Sequence, residues 1–172
     1  IMKKIAADYD SWAYQYDNNF NPTRDLDQVA TIESLSNEDF YKVLELGCGS
    51  GKNTEWLTTK ADRLVGIDFS KNMLEIASKK ITSKEVTFIN ADLNNKWPVK
   101  NNSFDLASIN LTLEHIKNLD HICNSLFMKL IKGGKCFVCE LHPKKQLLGS
   151  KAQFEKNGID IVLDVFHHSE IE

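Results

Sequence analysis

Between residues 41 and 141 the chain switches repeatedly between two hydrophobic periods. Short apolar runs occur at "YKVLEL" (41–46), "RLVGID" (63–68), "EVTFIN" (85–90), "SFDLASIN" (103–110) and "KCFVCEL" (135–141). Between them, Lys52 to Lys60, "SKNMLEIASKKI" (70–81) and "HICNSLFMKLI" (121–131) carry apolar residues three and four apart. The first pattern predicts strands and the second helices. Ser70 stands where an N-cap belongs, and Gly133 and Gly134 supply a stop for the helix before them. Ahead of this region, Met2 to Asp17 has helical spacing and many aromatics. "NNFNPTRDLDQ" then reads as a polar connection with Pro22 at a turn, followed by a helix from Leu26 to Leu35.

Strands apolar on both faces, alternating with helices, predict an α/β fold: a doubly wound, mostly parallel, Rossmann-like sheet with helices on both sides. Ligands in such sheets bind beyond the carboxyl ends of the strands, near the point where strand order reverses. After Leu141 the pattern weakens to a possible short helix and a strand-like "IDIVLDV" (159–165). The expected organisation is one domain over 1–172. It comprises a helical cap (1–36), a core (41–141) and the start of an incomplete C-terminal part (142–172).

The 172 residues are enough to bury a core, and 42% apolar with 26% charged is ordinary for a globular protein. A net charge of −3 gives no broad basic surface, so nucleic acid is not an expected partner. No apolar run approaches the ~20 residues needed to cross a bilayer. The N-terminus lacks the apolar stretch of a secretory signal, and Ile1 before Met2 reads as an addition from expression. Cys48, Cys123, Cys136 and Cys139 have no metal-knuckle spacing. Cys136 and Cys139, three apart on a strand, point to opposite faces, which suits a shared metal poorly. The expectation is reduced core thiols, no metal and a cytoplasmic location.

Three of the eight glycines, Gly47, Gly49 and Gly51, fall within five residues, between a strand and a helix. One glycine suffices for a tight turn. Three at alternate positions imply main chain lying close to a ligand at a helix N-terminus. The phosphate-loop pattern G-x-x-x-x-G-K-[ST] is not met, since Asn53 replaces the hydroxyl residue and the glycine spacing is short. The dinucleotide pattern G-x-G-x-x-G fails too, because the third glycine comes one residue early. Glu45, just before the loop, suits a pyrophosphate poorly.

"LELGCGSG" resembles motif I of the class I S-adenosylmethionine-dependent methyltransferases, of the small-molecule, methyltransferase domain 11/25-like type. The resemblance continues in order over roughly residues 9 to 141. "VGIDFSKNML" (65–74) is similar to the second-strand motif, "INADLNNKWP" (89–98) to the third and "SFDLASINLTLEHI" (103–116) to the fourth. "LIKGGKCFV" (130–138) resembles the turn into the fifth strand, and "YDSWAYQYD" (9–17) the family's aromatic N-terminal cap. The resemblance implies S-adenosylmethionine as cofactor and S-adenosylhomocysteine as product. It implies that Asp68, seventeen residues past Gly51, accepts both ribose hydroxyls. Asp92 would receive the adenine amino group, Leu93 would offer a backbone N–H, and Glu45 would face the cationic methionine end directly or through water. Gly47, Cys48, Gly49 and Gly51 would supply bare main chain. Tyr16, Asn53, Phe69, Met73, Ala91, Asn110, Leu111 and His115 would complete the cofactor site. Asp68 would serve equally as a cap for the helix near Ser70.

Methyl transfer from a sulfonium is an in-line displacement whose activation lies in the cofactor. The protein supplies position and water exclusion, worth ~7–11 kcal/mol. A base is needed only if the acceptor loses a proton. His115 is the best-placed candidate, with packing beside the cofactor or helix capping as its alternative. His142, after the fifth strand, stands similarly. His167 and His168 read as surface residues. Tyr9, Trp12 and Tyr16 would form either a lid or ordinary helix packing. "NLTL" (110–113), where "NPPY" or "DPPY" would mark methylation of nucleic-acid bases, favours a small-molecule acceptor. No membrane partner is expected, and the protein should be a monomer or homodimer. The family adds two strands after the fifth, yet "FHHSEIE" ends where they should begin, so a cut chain is expected. The fifth strand's edge would then stay open unless 159–165 or a partner covers it. Two other readings stay open. One is a non-catalytic S-adenosylmethionine binder. The other, an NAD(P)-dependent oxidoreductase, is disfavoured by the glycine spacing and by the lack of Tyr-x-x-x-Lys after the fourth strand.

Overall fold

Five parallel strands form one sheet in the computed structural model, which describes residues 2–169. They are β1 (Phe40–Leu46), β2 (Ala61–Asp68), β3 (Val86–Asn90), β4 (Phe104–Asn110) and β5 (Leu130–Cys139), in the order β3-β2-β1-β4-β5. The helices are α1 (Met2–Tyr16), α2 (Pro22–Leu35), α3 (Lys52–Leu57), α4 (Lys71–Lys80), α5 (Leu119–Lys129) and α6 (Pro143–Leu147), with a 3-10 turn at Leu113–His115. Because β1 is flanked by β2 and β4, its side chains are buried on both faces. Leu44 and Leu46 join Ile109, Ile122 and Leu126 on one face, while Val43 joins Leu35, Leu57 and Leu106 on the other. That alternation is the two-residue strand period. It places α5 on one side of the sheet and α2 and α3 on the other, the doubly wound arrangement.

Strand order reverses between β1 and β4, so the loops after Leu46 and Asn110 face one another across a crevice. Every strand expected from the sequence is present, with ends moved by a few residues. Several local expectations need correction. Pro22 opens α2 rather than marking a turn. Asn21 caps this helix by accepting from Arg24 N at 3.1 Å, and proline suits the first helical position because its missing N–H has no partner there anyway. α3 ends at Leu57, not Lys60. Gly133 and Gly134 do not stop α5, which ends at Lys129. They lie within β5, where the register against β4 shifts between Phe104 and Leu106.

β5 is not a buried strand. It is the sheet edge, paired on one side only among the described residues, so Cys136 is exposed and Cys139 half-buried. With Cys123 also exposed, Cys48 alone of the four thiols is a core thiol. Nor does 159–165 cover that edge. β7 (Ile159–Val162) pairs antiparallel with β6 (Gln153–Lys156) through a turn at Asn157 and Gly158, both at positive φ, which is hairpin geometry. The hairpin region instead packs on α1, where Phe154 and Leu163 join Ile5 and Trp12. His167 is exposed as expected, but His168 is half-buried, its Nε2 3.2 Å and 2.8 Å from the carbonyls of Leu113 and Ile116. Ile1 and the last three residues of "FHHSEIE" lie outside the described residues. Among the described residues, no helix is long and apolar enough to cross a membrane.

Candidate active site

β1 delivers the chain into the glycine loop, where each glycine has its own steric cause. Gly47 has φ 72°, and a Cβ there would lie 2.0 Å from Thr112 Oγ1 on the facing loop. Gly51, at φ 82°, begins α3 against α4, where a Cβ would come within 2.9 Å of Ile81 and 3.2 Å of Ala77. Gly49 is different: a Cβ there meets nothing within 4 Å. The loop's N–H groups are turned inward. Gly47 and Cys48 both donate to the Ile67 carbonyl, and Gly51 donates to that of Cys48. Gly49 donates to Asp68 Oδ2 at 2.8 Å.

A cleft of about 910 Å³, part of it open to solvent, lies over the ends of β1, β2 and β4. All the expected site positions line it, from Tyr16 on α1 to His115 after β4, except Gly51, which packing against α4 turns away. Asp68 ends β2, and the cap of the next helix is Ser70 rather than Asp68. Its Oδ1 accepts from Ser70 N at 2.8 Å and so braces the residue that caps α4, while the carboxylate also lines the cleft. Phe69, Met73, Ala91 and Leu93 give the neighbouring wall an apolar surface. Asp92 Oδ1 is taken by the main-chain and side-chain nitrogens of Asn94, both at 2.9 Å.

Carboxyl groups crowd the β1–β4 end of the cleft. Glu45 is buried and accepts from Thr54 Oγ1 at 2.5 Å. Burial first, then the charges of Asp68 and Asp27, lift its pKa to about 8 against that hydrogen bond. Asp68 rises to about 6 through burial, opposed by main-chain N–H groups. Asp27, on α2, accepts from Asn53 Nδ2 at 2.9 Å and Asn110 Nδ2 at 2.6 Å, tying α2 to α3 and to the end of β4. Glu140, after β5, accepts from Thr112 N and Leu113 N at 2.7 Å and 2.9 Å, and burial lifts its pKa to about 8. It holds the turn in which Leu111 takes φ 47°, a left-handed conformation costly for leucine. The sequence reading missed Asp27, Glu140 and Thr112. Only the fold brings Asp27 and Thr112 to the cleft, and Glu140, which lies inside the predicted strand 135–141, acts there through its hold on Thr112.

α1 roofs the cleft. Asp10 Oδ1 accepts from Ser70 Oγ at 2.6 Å and Asn72 N at 3.0 Å, and Asp17 accepts from Ser50 Oγ and Lys80 Nζ. The aromatic cap splits in two. Tyr9 and Tyr16 line the cleft, whereas Trp12 is buried and stacks on Phe154 with ring centroids 5.2 Å apart. Tyr9 Oη lies 2.9 Å from His115 Nε2. His115 is buried, and that burial lowers its pKa to about 4. A neutral imidazole this weakly basic is poorly matched to proton abstraction near pH 7. His142 instead caps α6, its Nδ1 accepting from Lys144 N at 3.3 Å.

The sequence matches the methyltransferase domain family over residues 44–138, more than half the chain. It is 27% identical over 163 residues to a demethylmenaquinone methyltransferase of Thermobifida fusca (strain YX), covering 86% of this chain and 67% of that protein. It is 30% identical over 136 residues to phosphoethanolamine N-methyltransferase 1 of Arabidopsis thaliana, covering 76% of this chain and 27% of that one. The chain spans only 46% of the length of a further relative, the demethylmenaquinone methyltransferase of Clavibacter sepedonicus. Among solved structures, DhpI in complex with SAH superposes with a TM-score of 0.75 at 21% identity, covering 99% of this chain and 82% of that one. The chain belongs to the methyltransferase domain family.

Proposed function

We propose that this protein binds S-adenosylmethionine in the cleft and moves its methyl group to a small-molecule acceptor. The observation that carries this reading is the direction of the glycine loop's hydrogen bonds. A phosphate-binding loop aims its N–H groups at the ligand. Here Gly47, Cys48, Gly49 and Gly51 spend theirs inside the protein, and around the loop the cleft is lined by the carboxyl groups of Asp27, Glu45, Asp68 and Asp92. That set of acceptors fits a ligand with hydroxyls, an amine and two cationic centres, and it does not fit a pyrophosphate.

The residues present divide that ligand among them. Asp68 uses one lone pair per oxygen on Gly49 and Ser70, and the remaining pairs can take both ribose hydroxyls. Asp92 keeps Oδ2 for the adenine amino group, with the Leu93 N–H beside it. Phe69, Met73 and Ala91 cover the faces of the base. Glu45 faces the methionine end, where a cation favours its ionised form against the pull of burial. The cofactor, when bound, supplies a methyl group already activated on a sulfonium. The chain contributes orientation and exclusion of water under α1. His115 acts as a positioning residue for Tyr9 rather than as a base. Free thiols and an unpaired Cys48 fit a cytoplasmic setting.

The test is turnover. The protein, incubated with S-adenosylmethionine and a panel of small acceptors, should form S-adenosylhomocysteine in step with a methylated product. Tight cofactor binding with no product from any acceptor would contradict catalysis.

A further inference from the structure

A second cleft of about 540 Å³ shares Tyr9, Tyr16, Arg24 and Leu111 with the first and extends to Leu141 after β5 and to Ser150–Ala152 before β6. Its wall is aromatic, adding Trp12 to the two tyrosines. Its charges are unusual. Arg24 is only 8% exposed, yet it has no carboxylate within 4 Å among the described residues. Its Nη1 and Nη2 donate to the carbonyls of Tyr16 and Asn19 at 2.6 Å and 2.9 Å, and its plane lies 3.9 Å from the Tyr16 ring centre. The Nε–H has no hydrogen-bond partner. A guanidinium has five N–H groups, so this one is held rigidly by two and still has donors to give. Lys151, on the same cleft, forms no ion pair among the described residues. The one acid there, Glu114, receives Gln146 Nε2 at 3.1 Å, and burial favours its neutral form.

A buried cation without a counter-ion is costly unless a ligand supplies the charge. Arg24 stands where the two clefts meet, and on the side of the second cleft the exposed Lys151 adds another cation beside an aromatic wall. We propose that the second cleft is the acceptor site and takes an oxyanion-bearing small molecule with a flat apolar body, the oxyanion on Arg24 and Lys151 and the body against Tyr9, Trp12 and Tyr16. The inference rests on the methyl-transfer reading. It adds the chemical class of the acceptor.

Ligand-observed NMR titrations of the intact chain, saturated with S-adenosylhomocysteine, test it with benzoate and phenyl phosphate against benzamide and benzylamine. The two anions should bind at least tenfold more tightly than the neutral and cationic probes. Lys151→Glu should weaken benzoate at least fivefold and leave S-adenosylhomocysteine within twofold. Arg24→Gln should abolish benzoate binding; if that variant does not fold, Lys151→Glu decides alone. Equal binding of benzamide, or a Lys151→Glu protein that holds benzoate as well as the wild type, overturns the proposal. The cofactor's own carboxylate is the rival occupant of Arg24. It is identified if Arg24→Gln weakens S-adenosylhomocysteine but spares both benzoate and 5′-methylthioadenosine, which lacks the amino acid, and that result also overturns the proposal. If S-adenosylhomocysteine fails to bind while the benzoate pattern holds, the anion site stands and the methyl-transfer reading falls.

Discussion

Three glycines that look alike in the sequence obey different constraints. Gly47 is excluded from bearing a side chain twice over, by φ and by Thr112 at 2.0 Å from a Cβ. Gly49 carries only the conformational constraint, worth ~1–2 kcal/mol for alanine. Gly47→Ala should therefore lose at least ~2 kcal/mol more than Gly49→Ala in urea unfolding, and equal losses would refute the steric account. The spacing was legible, but its causes were not. Thr112 lies sixty-five residues downstream and Ala77 on another helix, so only the fold brings them to the loop. The buried acids give a pH prediction. Glu45 and Glu140, both near 8, and Asp68, near 6, hold protons in the folded state that they would release when unfolded. Stability should therefore be full below about pH 4 for these groups and fall as pH rises through their folded values, by ~1.4 kcal/mol per pH unit for each retained proton. Glu45→Gln should flatten the fall between pH 5 and pH 8. A melting temperature that rises across that window would contradict the assignment.

At the scale of elements, Asp10 is the polar anchor that ties α1 to the start of α4. Asp10 receives Ser70 Oγ, and Ser70 in turn caps α4 by accepting from Met73 N at 3.2 Å. Asp10→Ala should cost ~1–2 kcal/mol and selectively raise amide exchange in residues 2–16, with the β1 and β4 amides unchanged. Uniform loss of protection would show that α1 is not a separable roof. Helical periodicity and the aromatic run were readable in α1, but which aromatics faced the cleft was not. Trp12 turns to Phe154, a residue of a hairpin that no local pattern linked to α1. Pro22 and Gly133 misled for the opposite reason. Each is a breaker whose effect depends on its partner, an Asn21 cap in one case and a shifted β4 register in the other.

The alternating pattern announces a parallel, doubly wound sheet, and the strand order the fold adopts, with its reversal between β1 and β4, fixes where a ligand must sit. Most of the cleft-lining positions could be named before the fold through the family resemblance, many of them just after strands. Glu140, Asp27 and Arg24 could not, since Asp27 and Arg24 reach the clefts from a second helix and Glu140, at the sheet edge, acts through the Thr112 turn. The central claim is that a loop with its N–H groups turned inward, backed by Asp68, selects a sulfonium nucleoside over a dinucleotide. Calorimetric titration of wild type and Asp68→Ala with S-adenosylhomocysteine and with NAD tests it most directly. The account predicts that S-adenosylhomocysteine binds, that NAD does not, and that Asp68→Ala weakens the former at least tenfold. NAD binding to the wild type, or an Asp68→Ala protein of unchanged affinity, would contradict it.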